Sequence, residues 1–166
     1  MTNSAHYQSP LGLIRITGSE SGIQEIRFVR VKKGLDNTNK HVDQCLRELD
    51  DYFKGKKQDF SVALDIRGTK FQKQVWRALR KIGYGRTTCY EYLARSIGKP
   101  KACRAVGQAN HVNNLPIIIP CHRVIGKNGK LTGYAGGLHI KKWLLEHEKG
   151  AKNSCLCYQG PEAAIY

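Results

Sequence analysis

The sequence predicts an α/β (α+β) protein with two parts. The N-terminal part is a small α/β domain with a short antiparallel sheet, and the C-terminal part is mostly helical and contains a helix-turn-helix. Segments before Arg67 alternate apolar and polar residues, as half-buried strands do, whereas segments after it carry apolar residues at helical spacing. The charge changes at the same place, from a net +2 over residues 1–67 to +13 over residues 68–150.

The N-terminal part is predicted to contain a hairpin, a helix and one further strand. Apolar residues alternate in "LGLIRITG" and "GIQEIRFVRV", and "GSESG" between them has the composition of a turn. "NKHVDQCLRELDDYFKG" has apolar residues at helical spacing and a stop at Gly55. "DFSVALDIRG" alternates Phe60, Val62, Leu64 and Ile66, which predicts a half-buried strand. No catalytic constellation is visible in this part.

The C-terminal part is predicted to begin with three helices. Thr69 and Gln72 have the spacing of a capping box at the start of "TKFQKQVWRALRKIG". Thr88 and Glu91 repeat that spacing in "TTCYEYLARSIG". "KPKACRAVGQANH" places Pro100 in the first turn of a helix, where a missing N–H costs nothing. The second and third helices are separated by only a few residues, which predicts a helix-turn-helix.

The second helix of this motif combines cations with small side chains. Lys101 and Arg104 stand among Ala102, Cys103, Ala105, Gly107 and Ala109. Small residues let a helix approach a surface closely, and the cations can contact phosphate, but small residues also permit tight internal packing. Residues 68–150 carry 16 basic and 3 acidic side chains, whereas a merely solubilising surface would spread its excess charge evenly. The concentrated charge favours nucleic acid as the partner.

The rest of the chain is predicted to present a cysteine between a buried strand and a loop. "NNLPIIIPCHRVIG" predicts a loop and then a buried strand that leads into Cys121. "KNGKLTGYAGG" is too rich in glycine for regular structure, and "LHIKKWLLEHEKG" predicts a last amphipathic helix that ends at Gly150. Residues 151–166 show no periodicity and are predicted to be a loosely attached tail.

Cys121 has the neighbours that a reactive thiol needs. Only the thiolate is a strong nucleophile, and burial raises the pKa of a thiol, so a base is required. His122 is the nearest candidate, and because adjacent residues of an extended segment point to opposite sides, a bridging water is favoured over direct contact. A histidine base also needs an orienting carboxylate. Residues 68–150 contain three candidates for this carboxylate. Glu91 is assigned to a helix cap and Glu146 lies off the apolar face of the last helix, so Glu148, on that apolar face, is predicted to orient His122.

The cysteines and the N-terminus restrict the class of protein. Six cysteines are scattered without a CxxC pair, which favours free thiols over disulfides. His41 with Cys45, and Cys155 with Cys157, are the spacings that come nearest to a metal site, but no metal and no cofactor is predicted. Neither a signal peptide nor an apolar stretch of about 20 residues is visible. We therefore expect a soluble protein in a reducing compartment.

Four short motifs occur in the second half of the chain: "RAVG", "PCHRV", the "YAGG" that begins at Tyr134, and "WLLEHE". With these motifs the chain resembles the O6-alkylguanine-DNA alkyltransferases, or methylated-DNA–protein-cysteine methyltransferases. The resemblance is dense over residues 68–150 and general over the N-terminal half. It implies a structural α/β domain over 1–67, a winged-helix-like domain for DNA binding and alkyl transfer over 68–150, and a tail over 151–166.

The resemblance also implies a function. The protein would flip O6-alkylguanine, chiefly O6-methylguanine and also O4-methylthymine, out of duplex DNA. It would then transfer the alkyl group irreversibly to its own Cys121 in a single turnover, which makes it a stoichiometric, self-inactivating S-methyltransferase. His122 would be the base acting through water, and Glu148 would fix the imidazole.

Further residues receive roles from the same resemblance. Tyr90 would crowd the phosphate of the target and donate to its base, Arg104 would intercalate where the guanine was, and Asn113 would tie the active-site loop to the helix-turn-helix. Other residues at the DNA surface would be Lys101, Ala102, Ala105, Gly107 and Arg123. The base pocket would be lined by Val124, Tyr134, Ala135, Gly136 and Lys141.

In that pocket, the carbonyls of Cys121 and Val124 would accept from the guanine amino group, and the N–H of Ala135 would face O6. The expected partner is double-stranded DNA, entered by a monomer through the minor groove with little sequence preference. We expect a cytoplasmic location in a prokaryote and a nuclear one in a eukaryote. The tolerance for larger alkyl groups and cooperation between copies on DNA stay open.

Two functions of other classes use similar residues. A lesion-binding module marks alkylated DNA without repairing it, but relatives of that kind lack the acceptor cysteine that Cys121 provides. A cysteine hydrolase needs a labile acyl adduct and an oxyanion hole, whereas a thioether has no carbonyl for water to attack.

Overall fold

A computed structural model of the chain describes residues 2–150. Its contacts divide the chain into two compact units, with the boundary between Arg67 and Gly68. The first unit contains strands β1 (Asn3–Ser9), β2 (Gly12–Ser19) and β3 (Gly22–Val29) and helix α1 (Lys40–Phe53). The second contains helices α2 (Lys70–Leu79), α3 (Tyr90–Ser96), α4 (Cys103–His111) and α5 (Leu138–Gly150), a 3₁₀ turn (Cys121–Arg123), and the short strands β4 (Thr88–Cys89) and β5 (Val124–Ile125).

The sheet of the first unit is antiparallel with strand order β1-β2-β3, and its β2–β3 hairpin confirms the predicted one. Strand β1 is absent from the prediction, because its buried residues include Asn3 and Ser9 and so lack an apolar alternation. The predicted α1 is confirmed. Asn39 caps it by accepting from the amides of His41 and Val42, and its apolar face packs on the sheet.

The strand predicted around residues 60–66 is wrong. This segment makes a single bridge to Ile23 of β3 and continues no ladder. The buried carboxylate of Glu48 accepts from the amides of Ser61 and Val62, at 3.0 and 3.2 Å. Because a side chain satisfies these donors, the segment needs no neighbouring strand.

Helix α2 begins with the predicted capping box, in which Thr69 accepts from the amide of Gln72 and the Gln72 side chain accepts from the amide of Thr69. The second predicted capping box is wrong, because α3 has no side-chain cap. Glu91 instead pairs with two cations, Arg95 at 2.6 Å and Lys127 at 2.9 Å.

Helices α3 and α4 form the predicted helix-turn-helix, joined through Gly98, whose φ is +72°. Pro100 lies in this turn and not in the first turn of α4, which starts at Cys103. Helix α2 packs against the inner side of α4, where Trp76 Nε1 donates to the carbonyl of Ala109 at 2.8 Å.

The predicted fold class is therefore confirmed, as is a last helix, α5, which the structure describes over Leu138–Gly150. The predicted tail, residues 151–166, lies outside the described residues. Between residues 2 and 150, none of the helices has both the length and the apolar character that crossing a bilayer demands.

Candidate functional site

The segment before Cys121 is buried as expected, but it is a turn, and the predicted strand is wrong. Asn113 holds this turn, since its Nδ2 donates to the carbonyl of Ile119 at 2.9 Å and its Oδ1 accepts from the amide of Leu115 at 3.0 Å. Ile117 adopts a φ of +74°, a conformation that β-branched residues rarely accept. Since Asn113 directly follows α4 and its cap, its side chain links the end of that helix to the cysteine.

Cys121 opens the 3₁₀ turn and is 4% exposed. Its amide donates to the carbonyl of Ile119 at 2.7 Å. Burial raises the pKa of its thiol, and the side chain of Asn113 and the charge of Lys141 only partly oppose this. The resting cysteine is therefore a thiol, and it needs a base before it can attack.

His122 and Glu148 are fully buried and lie side by side, with Nε2 of the imidazole 2.7 Å from Oε1 of the carboxylate. Burial alone would raise the pKa of Glu148, but the neighbouring charges and hydrogen bonds of His122 and Arg123 outweigh it and hold that pKa well below its usual range. Burial lowers the pKa of His122, against the opposing effect of Glu148. The resting pair is thus a neutral imidazole and a carboxylate.

This pairing selects the tautomer of His122. A carboxylate can only accept, so the hydrogen bond to Glu148 requires the proton on Nε2 and leaves the lone pair on Nδ1. Nδ1 is buried and has no hydrogen-bond partner within residues 2–150. The basic nitrogen is therefore available, and it makes no direct hydrogen bond to the Cys121 sulfur.

Arg123 is not at a DNA surface, contrary to the prediction. It is 5% exposed, and its Nε and Nη2 donate to the two oxygens of Glu148 at 2.9 and 3.0 Å. Its Nη1 also donates to the carbonyl of Ile82, and its guanidinium lies over the ring of Tyr84. A buried carboxylate requires a compensating cation, and this need withdraws Arg123 from the surface.

The glycine-rich loop after β5 has no regular structure, as predicted, and Lys141 of α5 holds it. The buried Nζ of Lys141 donates to the carbonyls of Val124 and Thr132 at 2.5 and 2.8 Å, and burial lowers its pKa to about 8. Burial, together with the neighbouring Cys121, raises the pKa of Tyr134. The Tyr134 hydroxyl makes no hydrogen bond of normal geometry with the described residues.

Lys141 and Tyr134 thus lie near Cys121, and the amide of Val124 donates to the Cys121 carbonyl. Ala135 is exposed and Gly136 half-buried, in a turn of the same loop.

Tyr90, the first residue of α3, lies between this loop and α4. Its hydroxyl is 3.5 Å from the carbonyl of Thr132, and its ring faces Gly107. Burial raises its pKa. Asn110 of α4 is 3% exposed and donates from Nδ2 to the carbonyl of Cys121 at 3.4 Å. Helix α4 and Cys121 are therefore directly connected by a hydrogen bond.

The outer face of α4 carries Arg104, Ala105 and Gly107, whereas Lys101, predicted on this helix, lies in the turn before it and Ala102 is its N-cap. Lys101, Arg104 and Ala105 are exposed, and Ala102 and Gly107 are half-buried. A Cβ added at Gly107 would lie 3.8 Å from the ring of Tyr90, which is ordinary contact. Internal packing therefore does not require glycine there.

Sequence reasoning missed two contributors to this site. Asn110 is four residues after the buried Val106, and a polar residue on a packed helix face needs a partner, so that spacing was a usable signal. Gly85, with a φ of +70°, donates its amide to Oε2 of Glu148 at 3.1 Å. A main-chain contact of this kind leaves no signal in the sequence.

Within the described part of the chain, no three His, Cys, Asp or Glu side chains come together as metal ligands. His41 Nε2 is 3.1 Å from the carbonyl of Glu20, and Cys45 is buried. Cys155 and Cys157 lie outside the described residues.

Two family models match this chain. The model for the ribonuclease-like domain of 6-O-methylguanine DNA methyltransferase matches residues 4–66. The model for the DNA binding domain of 6-O-methylguanine DNA methyltransferase matches residues 70–150.

Similar proteins carry related names. The methylated-DNA–protein-cysteine methyltransferase of Methanosarcina acetivorans is 47% identical over 150 residues, which cover 87% of this chain and 96% of the relative. The constitutive methylated-DNA–protein-cysteine methyltransferase of Bacillus subtilis is 43% identical over 152 residues, covering 86% and 92%.

Two solved structures from Mycobacterium tuberculosis are similar along nearly the whole chain. That of its O6-methylguanine methyltransferase gives a TM-score of 0.83 at 40% identity and covers 93% of this chain and 97% of the other. That of its OGT in complex with DNA gives a TM-score of 0.81 at 42% identity, covering 88% and 92%.

Proposed function

The chain belongs to the 6-O-methylguanine DNA methyltransferase family, and on that premise we propose that it repairs O6-alkylguanine in DNA by moving the alkyl group onto its own Cys121. Its activity is that of a methylated-DNA–protein-cysteine methyltransferase, as in its relatives. One observation carries the choice of acceptor. Cys121 is a buried thiol next to a neutral imidazole whose second nitrogen is held by an ionised carboxylate.

The proton leaves first. A water between the Cys121 sulfur and His122 Nδ1 passes the thiol proton to the imidazole, and Glu148 stabilises the resulting imidazolium. The role of Arg123 is to keep Glu148 ionised and oriented. The thiolate then attacks the alkyl carbon from the side opposite O6.

The displacement forms a carbon–sulfur bond and breaks the carbon–oxygen bond. The departing electrons enter the purine ring, and Tyr90 would donate a proton to the base. Water would then carry the proton held by His122 back to Tyr90, so that the proton lost by the thiol ends on the guanine. The balance is one thioether and one unmodified guanine for each protein. A thioether has no group that water can attack, so the reaction ends with a single turnover.

The pocket would recognise the base through its main chain. The carbonyls of Cys121 and Val124 already accept from Asn110 and Lys141. The Cys121 carbonyl also accepts from the amide of Val124, so the guanine amino group would there take the place of the long Asn110 bond. At Val124 it would use a lone pair beside that bonded to Lys141. The N–H of Ala135 would donate to O6. O4-methylthymine, which has no amino group, would be a further and weaker substrate.

DNA would be entered through the minor groove by the outer face of α4. Its small residues leave room for close approach, and Gly107 is not required by internal packing. Arg104 would intercalate in the space left by the flipped nucleotide, at an unstacking cost of about a few kcal/mol. Phosphate contacts from residues such as Lys101 carry no sequence information, which suits lesions that arise anywhere.

The test is to incubate the protein with a duplex containing O6-methylguanine and to measure its intact mass, followed by peptide mapping. We expect one methyl group, located on Cys121, and the same but slower gain with O4-methylthymine. Repeated turnover without a mass change would favour a cysteine hydrolase. Tight binding with neither mass change nor lesion loss would favour a lesion-marking module.

A further inference from the structure

Helix α2 and its C-cap carry a row of cations that the proposed chemistry does not use. Lys70, Lys73, Arg77 and Arg80 recur at three- and four-residue spacing, so they share one side of the helix, and we call them the α2 stripe. Three of them are exposed and Lys73 is half-buried. None makes an ion pair with a residue in the described range 2–150.

The stripe lacks counter-ions among residues 68–150 because this part of the chain has few acids and each is engaged elsewhere. Residues 68–150 contain three carboxylates. Glu91 pairs with Arg95 and Lys127, Glu146 is 3.8 Å from Lys142, and Glu148 is buried with His122 and Arg123. No carboxylate of residues 68–150 is therefore left to neutralise the α2 stripe.

Folding does not explain the whole α2 stripe. Like charges at three- and four-residue spacing destabilise a helix. Cations in the first turn also oppose the helix dipole, and that turn of α2 contains no acid. Arg77 lies in the last turn and Arg80 is the C-cap, where a cation is favourable to the dipole. Helix stability therefore accounts for that end of the stripe but not for Lys70 and Lys73, which points to a role in binding.

The stripe lies away from the face of α4 that carries Arg104. The buried side of α2 holds Val75, Trp76 and Leu79 and packs against the inner side of α4. At about 100° per residue, the four cations fall on the opposite side of α2. A duplex held on the outer face of α4 is thus separated from the stripe by the thickness of both helices.

We propose that the α2 stripe binds the phosphate backbone of a second DNA segment while α4 holds the first. From Lys70 to Arg80 the stripe is about 15 Å long at 1.5 Å per residue, which matches roughly four base-pair steps of a duplex at 3.4 Å. Its four cations are about 4.5 to 6 Å apart along the helix axis, so they span the phosphates of such a segment without meeting each one. Two faces of this kind let the protein pass directly from one DNA segment to another without release into solution.

Direct transfer has a kinetic signature. The protein is bound to a fluorescent duplex without a lesion and mixed rapidly with increasing concentrations of an unlabelled duplex. We expect the dissociation rate of the wild-type chain to rise with competitor concentration. In the triple variant Lys70→Gln/Lys73→Gln/Arg77→Gln, the loss of three phosphate contacts reduces this dependence on the order of tenfold to a hundredfold.

The matched control removes the same charge from the other unit, in Arg30→Gln/Lys33→Gln/Lys56→Gln, whose residues are all exposed. It should keep the wild-type dependence. Both triple variants should transfer methyl from a short single-lesion duplex at the wild-type rate. That result shows that they are folded, and it tests alkyl transfer to Cys121 separately from DNA binding by the α2 stripe.

Three results would overturn the proposal: a wild-type rate independent of competitor, an α2 variant that keeps the dependence, or a control that loses it equally. Polyglutamate used as the competitor should not accelerate release. Acceleration by polyglutamate equal to that by DNA would assign the stripe to an acidic polypeptide and overturn the proposal as well.

Discussion

Replacing Glu148 with glutamine tests how the buried network supports alkyl transfer. Glu148 is fully buried and accepts from His122, Arg123 and the amide of Gly85. Glutamine keeps the shape and one acceptor oxygen but removes the charge that stabilises an imidazolium. The substitution also leaves the buried guanidinium of Arg123 without its anion.

The magnitude follows from the geometry. With Nε2 and Oε1 2.7 Å apart, the charge centres of an imidazolium and a carboxylate lie about 4 Å apart, which is worth about 4 kcal/mol at an effective dielectric constant near 20. Losing it slows transfer by up to about a thousandfold at 1.36 kcal/mol per decade. Breaking the pair with Arg123 costs about 3–5 kcal/mol of folding stability.

Three measurements separate these effects. Single-turnover transfer from an O6-methylguanine duplex gives the rate, binding to an unmodified duplex gives the affinity, and thermal unfolding gives the stability. The control is Glu146→Gln, which removes an exposed carboxylate from the same helix and should change none of the three. We expect Glu148→Gln to lose rate and stability while its DNA affinity stays near the wild-type value.

Two outcomes would refute this reasoning. If the rate of folded Glu148→Gln stays within about threefold of wild type, the charge does not support the reaction. If DNA affinity collapses while the protein remains folded, Glu148 organises the DNA-binding surface and not the base.

Three further predictions concern other parts of the second unit. Arg104→Ala should slow repair in duplex DNA far more than reaction with a free modified base, and equal losses on both substrates would contradict intercalation. Burial lowers the pKa of His122 in the folded protein below its unfolded value of about 6.5. Burying the neutral imidazole therefore contributes stability that is fully present above the unfolded pKa and is lost as pH falls through the folded pKa. The Tm should therefore decrease from about pH 7 to about pH 5, and His122→Gln should flatten that slope; an unchanged slope would assign it to other groups. Gly85→Ala should lower stability by about 1–2 kcal/mol, since the φ is +70° and the new Cβ would lie 3.1 Å from the carbonyl oxygen of Glu148. Gly83→Ala is its control, because the nearest atom to the new Cβ would be Cδ of the exposed Arg86 side chain at 3.5 Å, which is ordinary contact. Similar losses of stability for both variants in chemical denaturation would refute the strain argument.

Helices with local signals could be predicted closely. The Thr69–Gln72 capping box and the stop at Gly55 depend on residues a few positions apart, so no knowledge of the rest of the fold is needed. Strand β1 could not be found in this way, because its place in the sheet comes from pairing with β2 and not from its own composition.

The turn that leads to Cys121 shows where pattern alone fails. Three isoleucines in a row predict a buried segment equally well for a strand and for a turn. The choice is made by the side chain of Asn113, which bonds to the backbone on both sides of Ile117. Those bonds stabilise a φ that the sequence gives no reason to expect.

The carboxylate partner of His122 could be predicted by eliminating the other candidates. Few carboxylates were candidates for the partner of His122, and a buried position on α5 singled out Glu148, which the structure places at hydrogen-bond distance. Arg123 was misplaced because, in a segment with a net charge of +13, a cation that faces inward has the same signature as one that faces DNA.

The most direct test is lesion removal by Cys121→Ala under single-turnover conditions. The wild-type chain should remove one lesion per protein and then stop, while the variant should bind the same duplex and remove none. If Cys121→Ala clears O6-methylguanine from DNA at the wild-type rate, a different group accepts the alkyl, and the account of this site is wrong.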